Sequence, residues 1–126
     1  MIDVDACRRR LQQRREARLR ANRRLWEQAH ADADRLIRHI AQTCRPDRIL
    51  QWGSVLHPDR FGPRSDIDIA IDGDLTPEAW FRLLGELWTM TRFPVDIVDL
   101  RRIEPEFADI IRAKGRVAYA RRPLAH

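Results

Sequence analysis

A chain of 126 residues has room for one domain with a single modest core, and it excludes a multi-lobed enzyme body. With 44% hydrophobic and 34% charged residues it reads as a soluble globular protein, and no apolar run approaches the roughly 18 residues that a membrane span needs. The formal charge of +5 comes from 24 basic and 19 acidic side chains, with Lys114 the single lysine, so the abundance of arginine partly reflects genome composition.

The sequence before residue 45 predicts one long helical segment with two compositions. Leu25, Ala29, Ala33, Leu36 and Ile40 follow the i, i+4, i+8, i+11 pattern of an amphipathic helix, and Trp26 and Ile37 widen the stripe. This half is expected to pack on a sheet. In the first 24 residues nine arginines crowd a thin stripe of Val4, Leu11, Ala17 and Ala21. Only Asp3, Asp5 and Glu16 oppose them, leaving a local charge of +6 and about −1 for the remainder. The composition therefore divides the chain into an Arg-rich helical extension, 1–24, and a domain, 25–126. Such a charge run is either a solvated helix face or a surface for an acidic protein or a nucleic acid backbone.

Arg45-Pro46-Asp47 ends the helix, because proline cannot continue it and biases its predecessor away from helical geometry. Arg48 to Trp52 reads as a strand, and Asp66 to Asp72 as a second. Thr76-Pro77-Glu78 opens a helix with threonine as N-cap and proline in the first turn. Its apolar positions Trp80, Leu83, Leu84, Leu87 and Trp88 form one stripe, so both tryptophans are expected in the core. Pro94 opens a strand over Val95 to Leu100. A last helix runs from Glu104 or Pro105 through Phe107, Ile110 and Ile111 to Gly115, and Arg116 to Tyr119 closes the chain as a short strand.

Cys7 and Cys44 stand too far apart on one helix to form a disulfide and read as reduced thiols that serve helix packing. No Cys/His cluster has zinc spacing, and nothing suggests a Ser or Cys nucleophile with a His base. The early segment is Arg-rich rather than apolar, unlike a secretory signal, so a cytoplasmic location is expected.

The chemistry concentrates between Gly53 and Asp99. In an extended strand Asp66 and Asp68 project from one face while Ile67, Ile69 and Ile71 project from the other, so one face can bind a cation and the other a core. Two carboxylates with phosphate oxygens and water suit Mg2+. If the Asp96 strand pairs alongside, Asp96 completes a two-metal arrangement and can orient or deprotonate an attacking hydroxyl. Gly53 permits backbone to approach a phosphate closely, and the Ser54 hydroxyl with nearby amides can grip it. Arg60 and Arg64 are candidate triphosphate contacts, since guanidinium binds phosphate bidentately. His57 is a further loop residue within reach of substrate. The plain structural alternative for Asp66 and Asp68 is a solvated acidic edge strand. For Asp96 the competing position is Asp99, which parity puts on the opposite face.

The combination Gly53-Ser54, Asp66-Ile67-Asp68 and Asp96, spread over Arg48 to Tyr119, resembles the minimal nucleotidyltransferases (MNT proteins) of the DNA polymerase beta superfamily. It departs from them in two ways: eleven residues rather than ten separate Ser54 from Asp66, and Leu56-His57-Pro58 stands where Ala-Arg-Gly commonly follows Gly-Ser. The resemblance implies an α/β (α+β) nucleotidyltransferase fold with a mixed β-sheet flanked by helices, here preceded by the long Arg-rich helix. It also implies a Mg2+-dependent enzyme, with two such ions, that transfers AMP from ATP to a hydroxyl. The implied partner is a HEPN-type toxin whose tyrosine is adenylylated by its MNT antitoxin, within a homo- or hetero-oligomer. A non-catalytic MNT-like antitoxin that neutralises its partner by occlusion is the alternative. Nucleic-acid binding or end modification through the arginines is a third reading, weakened by the lack of aromatic side chains interleaved with them.

Overall fold

The computed structural model describes residues 1–121. Helix α1 spans Val4–Cys44 without interruption, opened by the Asp3 side chain accepting a hydrogen bond from the Ala6 amide at 3.1 Å. It ends where Arg45 takes a left-handed conformation (φ 44°) ahead of Pro46. Strand β1 (Arg48–Trp52), two short 3-10 turns, β2 (Ile67–Asp72), α2 (Pro77–Met90), β3 (Val95–Asp99), α3 (Pro105–Lys114) and β4 (Arg116–Ala120) follow. This is the order of elements expected from the sequence, with Asp66 one residue ahead of its strand.

The four strands form a mixed sheet in the order β3-β2-β1-β4. β1 runs antiparallel to both β2 and β4, whereas β2 and β3 are parallel and joined by a crossover through α2. Each face has its own apolar cluster. Ala29, Ala33, Leu36 and Ile40 of α1 and Leu83 and Leu87 of α2 pack on Ile49, Ile67, Ile69 and Ile71. On the other face Ala108 and Ile111 of α3 cover Leu50, Ala70 and Leu100.

The eleven residues between Ser54 and Asp66 are packed rather than loose. Val55 and Phe61 are fully buried, the Phe61 and Phe93 rings meet edge to face at 6.1 Å, and the Trp26 indole N–H donates to the Val55 carbonyl at 2.8 Å. The long helix thus holds the turn that carries Gly53 and Ser54. The Arg101 guanidinium binds both Asp47 and Asp72, at 2.5 and 3.1 Å, closing the opposite end of β2.

Two expectations need correction. Trp88 lies on the outer face of α2, 60% exposed, because the buried stripe narrows to Leu83 and Leu87. Cys7 is exposed and belongs to neither core cluster of the described residues, so it serves no packing role there, while Cys44 is half-buried against the core. Residues 122–126 of the expected domain lie outside the described residues.

The core makes use of only the C-terminal half of α1. Leu36→Ala, which empties a fully buried site, is expected to lower unfolding free energy by about 2–5 kcal/mol in urea titrations. Leu11→Ala, at a 65% exposed site, is expected to change it by less than about 0.5 kcal/mol.

Candidate active site

Strand pairing brings part of the motif into one rank across the sheet. Trp52 on β1 lies opposite Asp68 on β2, and Asp68 lies opposite Asp96 on β3. Adjacent strands are about 4.8 Å apart, so neighbouring side chains of this rank on one face are within electrostatic reach. The alternation along β2 explains the arrangement: Ile67, Ile69 and Ile71 are fully buried against α1 and α2, which turns Asp68 and Ala70 to the α3 face. Asp66 sits immediately before the strand, and Asp96 is exposed on an edge strand.

The electrostatics follow from this crowding. The Asp68 carboxyl is pushed up to about 7, first by removal from water and then by the Asp96 and Asp66 charges, and no cationic side chain among the described residues offsets them. A carboxyl whose proton affinity is raised by burial and by two neighbouring carboxylates forms, with them, a donor set for a hard cation. Among the described residues no three His, Cys, Asp or Glu side chains make a metal cage by themselves. Mg2+ does not require one, since it commonly takes one or two carboxylates and completes its octahedron with phosphate oxygens and water. The donors present therefore fit Mg2+ held jointly with a substrate.

Gly53 has φ +77°, and a Cβ built there would stand 2.2 Å from Asp68 Oδ2. Only glycine lets the turn lie against that carboxylate. Ser54 follows in the 3-10 turn Gly53–Leu56, whose Ser54 carbonyl accepts from the His57 amide at 2.9 Å.

Beside this turn opens a cleft of about 400 Å3. Gly53, Ser54, His57 and Arg60 form one wall, and Trp52 with Phe107, Ile110, Ile111 and Lys114 of α3 form the other. Phe107 stands edge-on to Trp52 at 5.8 Å, and the Trp52 indole N–H is buried without a hydrogen-bond partner. A larger, more open depression of about 560 Å3 lies between α1 and β4, near Asp34, Arg38 and Arg116. It is on the other face of the sheet, away from the acidic rank, so the smaller cleft is the better candidate.

Of the residues selected from sequence, Gly53, Ser54, Arg60 and His57 line the cleft, and Asp66, Asp68 and Asp96 crowd together beside its turn. Arg64 does not line the cleft and is exposed on the turn Gly62–Ser65. Asp99 is engaged elsewhere, accepting from the Arg101 amide at 3.0 Å and pairing with Arg102 at 3.4 Å. Sequence reasoning missed Trp52, Phe107, Ile110 and Lys114 as cleft residues. Phe107 and Ile110 are 41% and 51% exposed. The i, i+3, i+7 spacing of Phe107, Ile110 and Lys114 was the available signal, since it sets an apolar pair and a cation on one helix face.

A family model for polymerase beta nucleotidyltransferases matches residues 35–123. Solved structures align over about two thirds of the chain or more. One is a toxin-antitoxin complex with AMP-PNP, at 25% identity and TM-score 0.57, covering 69% of this chain and 73% of that one. Another is the MntA-HepT toxin-antitoxin, at 24% identity and TM-score 0.52, with 70% of each chain covered. A third is the tri-AMPylated Shewanella oneidensis HEPN toxin in complex with its MNT antitoxin, at 22% identity and TM-score 0.55, covering 73% and 72%. Comparison with curated proteins produced no match.

The raised Asp68 carboxyl has a consequence for stability. Because its folded-state value, about 7, exceeds the ordinary 3.8, its contribution is fully present below pH 3.8 and is lost as pH rises through 7. In chelator, Asp68→Asn is therefore expected to melt several degrees above the parent at pH 8 and to show a flatter pH dependence between 4 and 7. A melting curve series with and without Mg2+ checks this, Mg2+ raising the parent more than the variant.

Proposed function

Because the chain belongs to the polymerase beta nucleotidyltransferase family, we propose that it transfers AMP from ATP to a hydroxyl of a HEPN-type toxin and acts as that toxin's antitoxin. The observation that carries this reading is the rank of Asp68 and Asp96, with Asp66 beside it, against the Gly53-Ser54 turn at the mouth of the cleft. The similarity to toxin-antitoxin complexes, one of them with AMP-PNP, supports the choice of donor and partner.

In this reading the Gly53 and Ser54 amides and the Ser54 hydroxyl donate to phosphate oxygens, and Arg60 and Lys114 add positive charge at the cleft wall. Trp52 and Phe107 offer the apolar surface for the base, and the unpartnered Trp52 indole N–H is a spare donor beside it. Asp66 and Asp68 would hold Mg2+, with Asp96 completing the shell. When bound, Mg2+ neutralises triphosphate charge and favours ionisation of the acceptor hydroxyl. Asp96, exposed on the edge strand, accepts the proton of that hydroxyl as its oxygen bonds to the α-phosphorus and the bond to pyrophosphate breaks. The openness of Asp96 suits an acceptor carried on another macromolecule, since nothing in the described residues encloses a small one there.

The test is incubation with the protein encoded beside it, Mg2+ and each nucleoside triphosphate, followed by intact-mass analysis. The expected outcome is a mass gain of one or more AMP units on the partner, abolished by Asp66→Asn with Asp68→Asn. Asp96→Ala is expected to lower kcat by at least about 100-fold with little change in nucleotide affinity. Ser54→Ala and Phe107→Ala are expected to weaken nucleotide binding instead. Neutralisation of the partner by the folded double mutant, without mass gain, would favour occlusion.

A further inference from the structure

The N-terminal half of α1 is unused by the fold and lies outside the matched residues 35–123. From Val4 to Arg20 every residue except Ala6 is exposed. Seventeen residues of helix, about 25 Å, thus stand exposed to solvent among the described residues.

Two properties of this projection point the same way. First, its charge is uncompensated. None of the seven arginines from Val4 to Arg20 has an ion-pair partner among the described residues. Arg10, Arg14 and Arg18 stand at successive i, i+4 positions, and like charges at that spacing destabilise a helix. Second, its apolar residues are in line with the buried face. Leu11 lies about five full turns from Ala29, and Val4 about ten from Ile40. Leu19 lies at the margin of the same line, and Leu11, Arg15 and Leu19 border a shallow groove. The face that packs on the sheet in one half of the helix continues into solvent in the other, with Val4, Leu11 and Leu19 each more than half exposed.

We propose that this arm is a docking surface for an acidic amphipathic helix of a partner protein, which covers Val4, Leu11 and Leu19 and pairs carboxylates with Arg15 and Arg18. A nucleic acid would answer the charge, but it would leave three aliphatic side chains in line without a function. A second copy of the arm would answer the apolar stripe but would bring +5 against +5. Only an occupant that alternates apolar and acidic side chains satisfies both, and it would also relieve the like-charge repulsion along the arm. The inference stands apart from the transferase reading, since no residue of the cleft takes part.

The test is calorimetric titration of the full chain, in about 0.1 M salt, with a synthetic helical peptide of about 28 residues carrying Leu at heptad positions a and d and Glu at e and g. Polyglutamate of equal charge and a short duplex DNA are titrated in parallel. The expected result is binding of the Leu/Glu peptide, weakened at least about tenfold by Leu11→Gln with Leu19→Gln and, separately, by Arg15→Gln with Arg18→Gln. Unchanged unfolding of the core in these variants shows that the loss is local. Polyglutamate binding as tightly as the peptide would overturn the proposal in favour of a charge-only surface. Tighter binding of the duplex would overturn it in favour of nucleic acid, and no binding of any probe would overturn it altogether.

Discussion

The arrangement of this protein depends on the two-residue alternation of β2. Ile67, Ile69 and Ile71 are fully buried against α1 and α2, and their burial forces Asp68 to the opposite face. A slip of one residue in the pairing of β1 with β2 would put isoleucines into the cleft and carboxylates into the core. The hydrophobic cluster therefore specifies the acidic site: the free energy that binds the sheet to its helices also holds carboxylates where they repel one another. The raised Asp68 carboxyl records the cost.

The turn that meets this carboxylate is secured from the other side of the sheet. Trp26 donates to the Val55 carbonyl, and Phe61 closes the segment into the core. The backbone at Gly53 can then approach Asp68 more closely than any side chain would permit. Precision at the site thus comes from packing remote from it, and the extra residue between Ser54 and Asp66 is accommodated in two short 3-10 turns rather than in a floppy loop.

Helix α1 carries two roles on one continuous element. Its C-terminal half is a wall of the core. Its N-terminal half is an arm whose apolar line and charge find no answer among the described residues. The cleft and the arm use no residues in common.

Much of this was legible in the sequence because it is local. Helix caps at Asp3 and Thr76, the proline stops, the alternation of Asp and Ile in β2 and the amphipathic stripe of α1 are each set by residues within a few positions of one another, and the elements form as those patterns require. The crowding of three acids followed from strand parity together with the resemblance to minimal nucleotidyltransferases. What the sequence could not decide was contact between distant segments. That Trp52 and Phe107 share a wall, that Lys114 joins Arg60 at the same cleft, that Arg64 does not, and that Trp88 turns outward all depend on how α3 and α2 settle on the sheet. Periodicity shows that a helix has an apolar face; how wide a strip of that face is covered is decided only by the shape of what packs against it.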